Sequence, residues 1–154
     1  MITLLYISIS VFALYVLFIV ATKGVTKSIS DSVYVIGEDN LFSSLFTWFC
    51  FLVSISLLPY WIDHNTADQN IIPFISCSAL MFVGASPHFK TYQKMVHFSS
   101  AIVCFLSAYI WIFLYGNHTV FLVSLAGLVL ASFFKNRLFW CEIIAFVTIY
   151  ISLL

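Results

Sequence analysis

Charge is what this sequence has least of. Only 8% of its 154 residues are Asp, Glu, Lys or Arg, where a soluble domain carries about 25%. Its hydrophobic share is 63%, against roughly 45–50% in soluble proteins. A soluble fold of this length still exposes about a third of its surface. It cannot hide that much hydrocarbon, so the bilayer is the expected solvent. The six basic and six acidic residues cancel. Net charge therefore carries no signal for nucleic acid, which is not expected among the partners.

Catalytic and cofactor motifs are missing as well. There is no H-E-x-x-H, G-x-S-x-G, P-loop or C-x-x-C-H, so the common hydrolytic, nucleotide and haem chemistries have no foothold. Intramembrane metalloenzymes need several His and Asp on neighbouring helices, and the apolar runs offer only Glu142 besides Ser and Thr hydroxyls. An enzyme reading is poor, and no catalytic residue, cofactor or metal is assigned. Cys50, Cys77, Cys104 and Cys141 form no C-x-x-C pair, and each lies in a different apolar run. There a cysteine acts as a small apolar residue. The amino terminus lacks a basic n-region and an A-x-A site, and its apolar run is too long for a cleaved signal. It reads as a retained first membrane helix.

What is present is a series of apolar runs, at about 2–22, 41–60, 71–86, 96–115, 118–134 and 138–154. A spanning helix needs about 20 apolar residues. The runs do not alternate polar and apolar positions, as barrel strands would, so helices are the remaining way to satisfy the backbone in lipid. The expected fold is all-α: a single polytopic membrane domain over 1–154, with six transmembrane helices in a compact bundle. The third, fifth and sixth runs are short. Pro59, Pro73 and Pro87 all lie near proposed span ends, where a missing N–H costs least.

The few charges are ordered. Lys23 and Lys27 fall in the first connection, Lys90 and Lys94 in the third, Lys135 and Arg137 in the fifth, and these are all the basic residues. Basic loops stay cytoplasmic, so both termini are expected outside, as in a bacterial or phage-encoded inner-membrane protein. Trp48, Trp61, Trp111 and Trp140 sit toward span ends and read as interfacial anchors. The first connection is the longest; SISD supplies caps for an interfacial turn or short helix ahead of Val33, Tyr34 and Val35.

Glu142 is the one acid clearly inside a run. A charged acid at a helix centre costs about 2.5–3.5 kcal/mol on insertion scales. Glu142 is shallow, about 7–8 Å past Arg137 at 1.5 Å per residue, so a protonated or snorkelling Glu paired with a neighbouring loop cation competes with a proton or ligand site. His97 opens the fourth run and His88 follows Pro87. The connectivity puts both on Glu142's side, with Ser99 and Ser100, and Asp31 can join them from the first connection. Together they form a candidate polar pocket around groups that titrate near neutrality; the competing reading is interfacial histidines with their tips in water. Asp63, His64, Asp68 and His118 belong to the outer loops and have no diagnostic ligand spacing. Asn117-His118-Thr119 fits a glycosylation acceptor but lies in a tight hairpin. Ser124, Gly127 and Ala131 form a small-residue stripe suited to close helix packing.

Ile29-Ser30-Asp31 in the first connection, Gly84-x-x-Pro87 closing the third run and His97 opening the fourth occur in an order that resembles the small, uncharacterised six-helix membrane proteins of the Frag/DRAM-like group. The resemblance implies a six-helix bundle and no established activity. The leading functional expectation is a structural or accessory protein beside membrane lipids, with a membrane-protein partner or a second copy of itself. The alternative is a small carrier or lipid-binding protein whose cytoplasmic-side pocket uses His97 and Glu142.

Overall fold

The computed structural model describes residues 1–31 and 40–154, without the side chains of residues 40–43 and 90. The expected turn or short helix near Val33, Tyr34 and Val35 lies outside the described residues. Among those residues the regular structure is helical, with no strand. The α-helices are α1 (Ile2–Lys23), α2 (Asn40–Asp63), α3 (Ile71–Ala85), α4 (Gln93–Tyr115), α5 (His118–Ala131) and α6 (Arg137–Leu153). Short 3₁₀ segments occupy Ala67–Gln69 and Ser86–Tyr92. Among the described residues four stretches are long and apolar enough to cross a membrane: Ile2–Lys23, Ser44–Asp63, Ala67–Phe89 and Gln93–Tyr115.

The helix ends follow from local chemistry. α1 stops at Gly24, whose φ of 74° lies in the left-handed region that favours glycine. Its N–H closes on the Val20 carbonyl at 2.9 Å. Pro73 sits in the first turn of α3, where no N–H is needed. Pro87 follows the end of α3, and the chain tightens into 3₁₀ geometry there. Pro59 departs from expectation: α2 runs past it to Asp63. Asn117 accepts from the N–H groups of Thr119 (2.9 Å) and Val120 (3.4 Å), so it is the N-cap of α5.

The fifth run was expected to reach 134, but α5 ends at Ala131. The Ser132 hydroxyl donates back to Val129 at 2.6 Å, and the amides of Phe133 and Phe134 close i→i−3 bonds onto Leu130 and Ala131. The chain thus turns off the helix with Phe133 82% exposed.

Where lipid surrounds helices there is no hydrophobic drive between them, so shape and polar contacts hold them together. Tyr15 of α1 stacks on Phe49 of α2 with ring centres 4.1 Å apart. Phe12 meets Phe146 of α6 at 4.7 Å, and Ser8 shares a 3.0 Å hydrogen bond with Tyr150. Thr47 of α2 donates to the Gly84 carbonyl of α3 at 2.7 Å, and Ser76 of α3 to that of Cys104 in α4 at 2.9 Å. Thr148 of α6 donates to Ser124 of α5 at 2.8 Å. Cys50, Cys77 and Cys104 are buried as apolar packing, and Cys141 is half-buried.

Two of the tryptophans expected at the interface are in the core. Trp61 and Trp111 are buried and meet edge to face at 5.2 Å. Trp111 donates to Asn65 at 3.1 Å. Position near a span end therefore does not decide orientation: the helix face does, and these two point inward. Trp48 and Trp140 are exposed.

Candidate functional site

The first turn of α6 builds the site. Asn136 precedes the helix but does not cap it; its side-chain amide instead donates to the Val25 carbonyl at 2.8 Å. The Phe139 N–H, orphaned at the helix start, reaches the Lys27 carbonyl at 3.0 Å. One turn further on, the Glu142 carboxylate accepts the N–H groups of Ile29 and Ser30. Three successive contacts thus dock residues 25–30 along α6. The segment braces itself: Thr26 donates to the Ser28 carbonyl at 2.7 Å, and the Ser28 hydroxyl oxygen accepts the Asp31 N–H at 2.9 Å. Ile29 is buried beneath it.

Among the described residues the partners of Glu142 are backbone amides and not the loop cation expected for it. A carboxylate accepting amides needs no cation at contact distance.

Beside this docked segment, α4 stands away from α5 and α6 and leaves a groove of about 980 Å³. Its mouth carries Lys27, Ser28, Ser30 and Asp31 from the connection, Lys94 and His97 from α4, and Glu142 from α6. Beyond the mouth it is walled by apolar and aromatic side chains, from Phe98 and Ala101 down to Phe113 and Phe121. Along α4, residues 94, 97, 98, 101, 105 and 109 share one face by helical spacing. From His97 to Phe113 that wall runs about 24 Å at 1.5 Å per residue. A separate void of about 30 Å³ lies behind the mouth, touching both Glu142 and His97; that is room for one water molecule.

His97 is held from behind. Ser86 gives its hydroxyl proton to the Val83 carbonyl at 2.7 Å, so its oxygen accepts from the His97 Nδ1 at 3.1 Å. That assignment leaves Nε2 as the acceptor.

Of the residues singled out in the sequence, Glu142, His97 and Asp31 come together at the mouth. His88 does not; its Nε2 faces the Thr47 hydroxyl at 3.4 Å. Ser99 is exposed and bonds back to Met95 of its own helix at 2.7 Å, and Ser100 lies outside the groove lining. Lys27, Lys94, Ser28 and Ser30 also line the mouth; none was named as a site residue, the lysines being read for topology. The signal for Lys94 was its spacing of three and seven residues from His97 and Ala101. Ser124 and Ala131 are buried, and Gly127 faces Ile144 of α6.

The outer loop has a different character. Thr66 donates to Asp68, which holds that exposed carboxyl below its ordinary range, and His64 stacks on Tyr60 at 6.0 Å. Among the described residues no group of three His, Cys, Asp or Glu side chains assembles to hold a metal.

No protein-family model matches the chain, and neither a curated protein nor a solved structure matches it.

Proposed function

We propose that the chain crosses the membrane six times, with its termini outside, and holds a lipid in the groove between α4, α5 and α6. The observation that carries the functional half is the groove itself: about 980 Å³, charged at one end and apolar along the rest. That polarity matches an amphiphile lying parallel to the helices. A metabolite that is polar along its whole length would lose its hydration against the apolar walls without gaining a partner there, because the polar groups of the lining gather at one end.

The topological half is supported by charge. All six basic residues lie in or beside the connections that enter or leave one end of the bundle, and such an end stays cytoplasmic. The groove mouth opens at that end, at headgroup depth in the inner leaflet. α5 and α6 are short, about 21 and 25 Å by helical rise, against about 30 Å of hydrocarbon. The exposed Phe133 and Phe134 extend the apolar length of α5.

The groove moves the balance from an accessory role to lipid binding or carriage. Ile102 lines it and is 64% exposed, so Ile102→Trp fills the groove without disturbing the core. Purified in mild detergent, the wild type is expected to retain lipid, with the variant retaining several-fold less. Equal retention contradicts the reading. A stoichiometric protein partner copurifying in place of lipid would support the accessory role.

A further inference from the structure

The groove mouth carries both signs of charge. α4 supplies Lys94, the docked connection supplies Lys27 and Asp31, and α6 supplies Glu142. Glu142 turns its carboxylate to backbone amides rather than to either lysine, and Asp31 lies within electrostatic reach of it. Two ammonium groups and two carboxylates share one opening whose formal charge sums to zero. A purely anionic headgroup would gain from the lysines and lose to the acids. A headgroup with one charge of each sign gains from both pairs.

Length narrows the occupant further. The apolar wall of α4, from Phe98 to Phe113, runs about 22 Å at 1.5 Å per residue, longer than the ~15 Å of hydrocarbon in one leaflet. A complete acyl chain lies along it while the headgroup stays at the mouth. We propose that the occupant is a zwitterionic phospholipid with a primary ammonium headgroup. Its phosphate sits at Lys27 and Lys94, its ammonium at Asp31 and Glu142, and its acyl chain along α4. This rests on the lipid-binding reading above.

A primary ammonium donates three hydrogen bonds, which the Asp31 and Glu142 carboxylates can accept between them. A trimethylated ammonium donates none, and a glycerol headgroup carries no cation. Choice between these lipids is therefore the readout. The full-length protein in neutral detergent is titrated with ethanolamine-, choline- and glycerol-headed phospholipids of identical acyl chains, with bound lipid counted by native mass spectrometry.

The wild type is expected to bind the ethanolamine lipid roughly tenfold more tightly than either competitor, about the size of one charge-assisted hydrogen bond. Asp31→Asn erases the preference over the glycerol lipid while binding persists. Lys94→Gln weakens all three, and Lys135→Gln, outside the groove, weakens none. A wild type that binds the glycerol or choline lipid as tightly, or an Asp31→Asn protein that keeps its preference, overturns the headgroup assignment and leaves lipid binding standing. If the Ile102→Trp protein binds every lipid as the wild type does, the groove is not the lipid site and both readings fall.

Discussion

Replacing Glu142 by leucine strands the amide protons of Ile29 and Ser30, which now end on its carboxylate. Leaving a buried donor unsatisfied costs about 1–3 kcal/mol. Glu142→Leu is therefore expected to lower the apparent melting temperature in detergent and to speed amide exchange across residues 26–31. Glu142→Gln keeps an acceptor oxygen and is expected to express and fold. A leucine variant with wild-type exchange in that segment would show that the carboxylate does not hold it. The sequence made Glu142 visible because an acid inside hydrocarbon is expensive, but not its partners, which are 113 residues away for Ile29. Trp61 and Trp111 failed for a related reason. Their place along the chain was readable, whereas the face they present depends on how α2 and α4 lean together.

Two glycines separate close packing from mere proximity at the scale of helices. A Cβ on Gly84 would sit 2.5 Å from the Cβ of Cys50 and 3.3 Å from the Thr47 carbonyl oxygen, so α2 and α3 meet where only glycine fits. Gly84→Ala must push them apart and strain the Thr47 hydrogen bond, at about 1–3 kcal/mol for an overpacked site. On Gly127 the same atom would meet Ile144 at 3.5 Å, an ordinary contact. Gly127→Ala is expected to be neutral or stabilising, by up to about 1 kcal/mol of helix propensity. Thermal unfolding of the two proteins side by side tests the contrast, and equal losses would contradict it. Helix existence was legible from apolar run length alone, and Pro73 and Pro87 marked boundaries as their missing N–H groups require. Pro59 misled, because α2 continues through it. The end of α5 was hidden in Ser132, whose back-bond to Val129 is a local choice that hydropathy does not register.

For the whole molecule, one asymmetry underlies the proposal: the basic residues and the groove mouth share an end of the bundle. The polar half of the site was partly readable, since His97, Glu142 and Asp31 were already expected on one side. The apolar half was not. A groove exists where helices fail to touch, and no residue pattern records a missing contact between α4 and its neighbours. Orientation is the claim on which the rest depends, because the opposite arrangement would place the mouth in the outer leaflet. Its most direct test introduces single cysteines at Tyr92, in the third connection, and at Thr66, in the second, into a background with Cys141 replaced by serine. Intact cells are then treated with a membrane-impermeant thiol reagent. The expected result is labelling of the Thr66→Cys protein, and labelling of the Tyr92→Cys protein only after the cells are opened. Labelling of Tyr92→Cys from outside intact cells would contradict the account.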